Sequence, residues 1–267
     1  MSSTGPLQLF DKTAFITGAA RGIGKAIAYR FAQAGAHLFL VDVNEELLAK
    51  TTKEIQQVDA TGSIFMQGVD VRHWSDVEAA VQRAVKEMGT IDILVNNAGV
   101  CKGNRVIELP EEEWDYILDV NLKGVFLCAK AVVREMIRLQ TKGRIINLAS
   151  IMARIGEAAT SAYTASKHGV LGFTRCLAYE MAPYGINVNA ICPGFVDTDM
   201  ERDLELELAA KEGKDLTIIR EGYESMVPFR RFAQPEDVAR LALFLASEDS
   251  GYITGQGINV CGGTVMS

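Results

Sequence analysis

At 267 residues the chain is long enough for one large α/β domain or two small ones. Its 48% hydrophobic and 23% charged residues describe an ordinary soluble globular composition, without any apolar run near the roughly 18 residues a membrane helix needs. A net charge of −7 argues against nucleic acid or an anionic membrane as a partner.

Residues 1–6 lack the basic region and apolar core of a secretory signal. Cys101, Cys128, Cys176, Cys192 and Cys261 are scattered, odd in number and form no CxxC pair. That pattern argues against a disulfide framework or a zinc site, and the expected location is the reducing cytoplasm. His37, His73 and His168 stand near no ligand set, so no metal is expected. His168, beside Lys167, reads as a helix-surface residue rather than a base.

Residues 12–17 read as a short buried strand. The tight turn Gly18-Ala19-Ala20-Arg21-Gly22-Ile23-Gly24 follows, then a helix over 25–34 closed by Gly35. A second strand, 37–43, carries Asp42 near its tip. Strand, glycine turn, helix and acid-tipped strand form the pattern of a dinucleotide-binding βαβ unit. The spacing is G-x-x-x-G-x-G, and it serves the same physical end: glycines let the backbone approach a pyrophosphate, and the helix N-terminus supplies N–H donors.

The alternation continues with a helix over 44–58, a strand over 63–71, a helix over 75–88 with Ser75 as candidate N-cap, and a strand over 91–96. Pro110 opens a helical stretch whose first turn suits Glu111, Glu112 and Glu113. It runs through Asn121 into a long helix ending near Thr141. A strand over 144–148, a helix over 163–184 and a strand over 186–192 follow, the last stopped by Pro193-Gly194. A helix over 234–246, with Pro235 at its first position, and a strand over 257–260 complete the series. Such alternation implies a parallel sheet with helices on both faces, and no linker, repeat or composition break divides residues 1–267. Residues 197–227 break the rhythm with two highly charged segments. One reading is a solvated pair of amphipathic helices. The favoured one is a lid over the C-terminal sheet edge, with Gly194 and Gly213 as flexible points.

The chemistry concentrates between residues 150 and 167. Ser150 follows the apolar run Ile145-Ile146-Asn147-Leu148, which puts a hydroxyl at the end of a buried strand. Tyr163 and Lys167 lie four apart on a helix and therefore share a face. A free phenol titrates near pH 10, too high for a base at neutrality. A cation about 4 Å away contributes about 4 kcal/mol at an effective dielectric of about 20. That lowers the phenol's pKa by up to roughly three, against the opposing effect of burial.

Thr17-Gly18-x-x-x-Gly22-Ile23-Gly24, Asp70-Val71, Asn96-Asn97-Ala98-Gly99, Asn121, Ser150, Tyr163-x-x-x-Lys167 and Pro193-Gly194, in that order, resemble the short-chain dehydrogenase/reductase family over essentially the whole chain. The resemblance implies a single-domain, Rossmann-type doubly wound sheet, a nicotinamide cofactor and a homotetramer. It implies that Tyr163 is the general base or acid, that Ser150 hydrogen-bonds the reacting oxygen, and that Lys167 tunes Tyr163 and holds the nicotinamide ribose. Asn121 would position a relay water for Lys167. Pro193, Gly194, Val196 and Thr198 would lie along the nicotinamide, Asn97, Ala98 and Gly99 beneath the adenosine ribose, and Asp70 with Val71 beside the adenine.

Charge bears on the cofactor's identity. Asp42 can accept both adenosine ribose hydroxyls, whereas a 2′-phosphate there would meet a like charge. Arg21 pulls the other way, but Val43 adds no second cation, so NAD is the expected cofactor. For the substrate, Glu157 in loop 151–158 either accepts hydrogen bonds from a polyol or is an exposed loop carboxylate. Gly156-Glu157-Ala158 and the ending Asn259-Val260-Cys261-Gly262-Gly263 are loosely similar to the family's sugar-alcohol dehydrogenases. The expected reaction is hydride exchange between a secondary alcohol, polyol or sugar-like, and its ketone. The alternatives are a 3-oxoacyl-carrier-protein reductase, whose acidic carrier would need basic residues where the long helices end at Gln140 and Tyr184 near Lys142, and a non-catalytic dinucleotide sensor.

Overall fold

The computed structural model describes residues 8–58 and 61–266, so the N-terminal stretch read above lies outside the described residues. Its strands are β1 (Thr13–Thr17), β2 (His37–Asp42), β3 (Ile64–Gly68), β4 (Ile93–Asn96), β5 (Arg144–Leu148), β6 (Asn187–Pro193) and β7 (Gly257–Val260). They form a seven-stranded sheet in the order β3-β2-β1-β4-β5-β6-β7, every neighbouring pair parallel. The helices are α1 (Gly22–Gln33), α2 (Glu45–Gln56), α3 (Trp74–Met88), α4 (Glu111–Leu118), α5 (Gly124–Leu139), α6 (Ser161–Met181), α7 (Asp199–Glu212), α8 (Leu216–Met226) and α9 (Pro235–Ala246).

The strands are apolar on both sides because both faces are covered. Against one face, Ile27 and Phe31 of α1, Leu48 of α2 and Val238 of α9 pack with Ile16, Leu38 and Val95. Against the other, Val81 of α3, Val132 and Met136 of α5 and Leu177 of α6 pack with Phe15, Leu94 and Ile145. Phe15 and Phe39 stack across β1 and β2 with ring centres 5.5 Å apart. Burying β1 and β5 completely explains why their sequences do not alternate. The strand order turns back between β1 and β4, and at such a switch point the crevice beyond the strands' C-terminal ends is open to a ligand.

Two boundaries differ from the sequence reading in an informative way. Ser75 does not cap α3: the N-cap position is His73, and the Ser75 hydroxyl bonds its neighbour Asp76. The helix from Pro110 is not continuous, because α4 passes into α5 through a π-helical segment, Asp119–Lys123, that holds Asn121. Pro110 itself is the N-cap of α4. Among the described residues no helix is long and apolar enough to cross a membrane.

Candidate active site

The glycine turn, the loop after β4 and the end of β5 converge on the crevice, and side-chain amides fasten them together. The Thr17 hydroxyl accepts the Asn97 and Ala98 backbone N–H groups, each at 3.0 Å. The Asn97 amide donates to the Thr17 and Gly18 carbonyls at 3.1 and 2.9 Å. Gly18 has φ +63°, and a Cβ there would come within 2.8 Å of the Ala98 Cα. A Cβ on Gly24 would fall 2.1 Å from the Gly18 carbonyl oxygen, so this glycine packs the turn from behind and does not line the crevice.

A cavity of about 400 Å³ runs along this edge. Asp42, Asp70 and Val71 stand at one end, Gly18, Arg21, Gly22, Ile23, Asn97, Ala98 and Gly99 in the middle, and Tyr163, Lys167, Pro193, Gly194, Val196 and Thr198 toward the other. Arg21 occupies the N-cap position of α1 without a side-chain cap, and no acid sits in the first turn, which leaves the helix's N-terminal N–H groups and positive dipole end to an anion. A pyrophosphate flanked by two nucleosides suits that sequence of surfaces. The Asp42 carboxylate accepts the Ala20 N–H at 3.0 Å and the Asn44 N–H at 2.9 Å, which fixes it at the cavity wall. Arg21 meets Asp199 at 3.4 Å across the crevice. Asp70 is gripped by the Arg72 guanidinium at 2.6 to 3.0 Å, and that hydrogen bonding holds its carboxyl below the usual range. Arg72, whose guanidinium lies 5.0 Å from the Tyr116 ring centre, lines the cavity although the sequence reading passed over it.

A second cavity, of about 210 Å³, adjoins the first. Ser150, Tyr163, Gly194, Met200 and Glu201 line both. Cys101, Met152, Phe195, Leu204, Leu208 and Tyr223 supply much of the apolar wall, while Glu157 and Glu207 stand on the same cavity as exposed carboxylates. α7 and α8, the segment read as a lid, furnish one side of it. The Lys211 ammonium on α7 donates to the Gly103 carbonyl across the mouth at 2.7 Å.

Ser150 is buried in extended backbone just past β5, where its hydroxyl oxygen accepts the Met152 N–H at 3.1 Å. Tyr163 and Lys167 come from successive turns at the start of α6. Lys167 is buried and donates to the Leu148 carbonyl at 2.8 Å, with its nitrogen 5.5 Å from the Tyr163 ring centre. Burial pushes the Lys167 amine down to about 8. Burial also pushes the Tyr163 phenol well above its ordinary value; the nearby Cys101 adds to this, and hydrogen bonding with Ser150 pulls back weakly. The depression of the phenol expected from Lys167 is not found: burial sets the direction of the shift.

Asn121 does not line either cavity. It is wholly buried, its carbonyl accepting the Val100 N–H at 2.8 Å and its amide donating to the Val100 carbonyl at 2.9 Å and to Ser166 at 3.1 Å. Ser166 in turn donates to the Tyr163 carbonyl at 2.6 Å, so Asn121 links the loop after β4 to the helix that carries Tyr163. His168 is exposed and turned back on the Thr164 carbonyl at 3.0 Å. Gly194 is not a flexible point: its N–H donates to the Val260 carbonyl at 2.9 Å, and a Cβ would come within 3.0 Å of the Cys261 backbone. Gly213, at φ +63°, serves as the left-handed C-cap of α7. Gln140, Lys142 and Gly185 gather with Arg144, the first residue of β5, at the sheet's N-terminal edge, opposite Ser150. Cations there do not surround the mouth of the site.

The chain belongs to the short-chain dehydrogenase/reductase family and is an oxidoreductase with a nicotinamide dinucleotide cofactor: residues 18–265 match the family model described as enoyl-(acyl carrier protein) reductase. It is 39% identical over 260 residues to the 3-oxoacyl-[acyl-carrier-protein] reductase FabG of Thermotoga maritima, covering 97% of this chain and 100% of that protein. It is 38% identical over 255 residues to the FabG of Staphylococcus aureus, covering 96% and 98%. Levodione reductase superposes with a TM-score of 0.90 at 32% identity, covering 96% of this chain and 98% of that one. A variant actinorhodin polyketide ketoreductase solved with NADPH gives 0.90 at 36% identity, covering 95% and 97%.

Proposed function

We propose that the chain reduces a ketone of the 3-oxoacyl type to the secondary alcohol, with NADH as reductant, and that Ser150 and Tyr163 address the reacting oxygen. The observation that carries this reading is the shared wall: the two hydroxyl-bearing residues border the long cavity on one side and the short one on the other. The cofactor supplies the hydride when bound. Ser150 donates a hydrogen bond to the carbonyl oxygen as negative charge develops on it. Tyr163, whose phenol burial keeps protonated through neutrality, gives that oxygen its proton. Lys167 charges below about pH 8 and offsets the phenolate left behind. Asn121 acts by holding the Val100 loop and α6 in register. The full-length similarity to 3-oxoacyl reductases supports this substrate class.

For the cofactor, the fixed Asp42 carboxylate supports NAD, and Arg21 faces Asp199 in an exposed ion pair. The NADPH of the actinorhodin relative is the opposing consideration. A second reading, oxidation of a polyol, is favoured by one observation, the carboxylates of Glu157, Glu201 and Glu207 on the short cavity, which can accept hydrogen bonds from hydroxyls. A cytoplasmic homotetramer completes the proposal on family grounds.

The test is a panel of 3-oxoacyl thioesters, small ketones, polyols and secondary alcohols, read by NADH absorbance at 340 nm. The expected result is fastest turnover on the 3-oxo compounds. Turnover confined to polyols would replace the first reading with the second, and turnover of neither would remove both.

A further inference from the structure

Glu201 stands at the seam of the two cavities, one of the few residues common to both. It is in the first turn of α7, where its backbone N–H is taken by the Thr198 hydroxyl at 3.4 Å. Among the described residues its carboxylate has no hydrogen bond and no ion pair, although it is half-buried.

The neighbouring cations make their hydrogen bonds and ion pairs with other groups. The Arg220 guanidinium on α8 faces Asp197 at 2.9 Å, Glu205 at 3.2 Å and Glu224 at 3.6 Å. The Lys211 ammonium, which lines the same short cavity, donates to the Gly103 carbonyl and keeps its charge. Glu205 is itself only 1% exposed; its Oε2 meets Arg220 and its Oε1 has no hydrogen-bond partner.

The groups facing Glu201 come from every surrounding element. Glu205 lies on its own helix, Glu157 on the loop after β5, Arg220 and Tyr223 on α8, Tyr163 on α6 and Cys101 on the loop after β4. Burial first, then Glu205 and Glu157, push the Glu201 carboxyl up to about 7, while Arg220 pulls it down. Its charge therefore changes within the physiological range.

We propose that Glu201 is the specificity-determining residue of the short cavity: it selects a substrate with an ammonium group beside the reacting carbon and turns away one with a carboxylate or phosphate there. An ammonium would find the partner this carboxylate lacks. A second anion would stand beside the three carboxylates of Glu157, Glu201 and Glu207 with only the Lys211 ammonium among the lining residues to offset them. A thioester, which is neutral at the same position, passes the filter without the gain. The inference rests on the redox reading of Ser150 and Tyr163, and its test does not depend on turnover.

The NADH-loaded protein is titrated calorimetrically with butylammonium, butanol and butyrate, probes whose charges stay constant from about pH 6 to 8. Butylammonium is expected to bind about tenfold or more tightly than butyrate at pH 8, and the ratio should shrink as pH falls through about 7. Glu201→Gln should bring the ratio to within about twofold and remove its pH dependence, while Glu201→Asp keeps both. Glu157→Gln, on an exposed loop, should narrow the ratio in part and guards against a Glu201→Gln protein that does not fold. Butyrate binding as tightly as butylammonium to the wild type overturns the proposal, as does a ratio that Glu201→Gln leaves unchanged. Tyr163→Phe should retain the ratio, so an error in the redox assignment shows itself separately, as turnover by that variant.

Discussion

The Lys167 ammonium lies 5.5 Å from the centre of the Tyr163 ring, yet its hydrogen bond goes to the Leu148 carbonyl at 2.8 Å. The two side chains share a helix face, as i, i+4 neighbours must, but the cation is held by β5 rather than by the phenol. In the proposed reaction, Lys167 would stabilise the phenolate formed on Tyr163, while burial keeps the resting phenol neutral. In that reaction the arrangement lets Tyr163 serve as the proton donor.

Replacing Tyr163 by Phe removes the donor without changing the ring. The expected outcome is a fall in kcat of about a thousandfold or more, with NADH binding by fluorescence titration within about threefold of wild type. Turnover near the wild-type rate would displace Tyr163 from the mechanism.

The pH dependence has a defined sign. Ketone reduction needs Tyr163 protonated and Lys167 charged, and both conditions hold below the lysine's value of about 8. The kcat for reduction should be level from about pH 6 to 7 and decline as Lys167 deprotonates above about 8. Alcohol oxidation needs the phenolate and should climb through the alkaline range. A reduction rate that kept rising past about pH 9 would contradict the assignment.

Asp42 offers a test of cofactor choice, since its carboxylate is held at the cavity wall by the Ala20 and Asn44 N–H groups. Wild-type kcat/KM should favour NADH over NADPH by about tenfold or more, and Asp42→Ser should shift that ratio toward NADPH by a similar factor. Steady-state kinetics with both reductants measures it. Higher efficiency with NADPH in the wild type would mean that Arg21 governs the pocket instead.

Asn121 carries a structural prediction. Asn121→Ala strips the partners from the Val100 N–H and carbonyl and from Ser166 in a buried setting. The loss expected in urea denaturation is about 2–4 kcal/mol, with the m-value unchanged. Stability equal to wild type would show that water replaces the amide without penalty.

Much of this was readable in advance, for physical reasons that differ from place to place. β5 and β7 were located at their exact ends because short apolar runs bounded by turn residues have one sensible pairing. Ser150, Tyr163 and Lys167 were found because their positions follow from a strand end and a helix period, both local. Glu201 and Cys101 were not singled out, because whether a side chain on a charged helix or a loop faces a cavity depends on how α7 settles against the loop after β4. The direction of the Tyr163 phenol's shift is hidden from the sequence for the same kind of reason. Spacing along a helix reveals a neighbouring charge, whereas the cost of leaving water is set by the whole enclosure. Gly194 suits a hinge by composition alone, whereas the Cys261 backbone packs where its Cβ would be.

The π-helical turn between α4 and α5 has a consequence for how the chain tolerates change. Five residues, Asp119–Lys123, carry a wider hydrogen-bond loop than an α-turn, so the segment accommodates one residue more than the helices around it. Deleting Val120 would let α4 and α5 fuse into a regular rod, rotate Asn121 by about 100° and swing its amide away from Val100. A chain shortened by that one residue would keep its secondary structure content and lose the brace on the loop beside the crevice. Insertions and deletions here are therefore read as rotations, and an alignment gap at this turn is a statement about where the amide points.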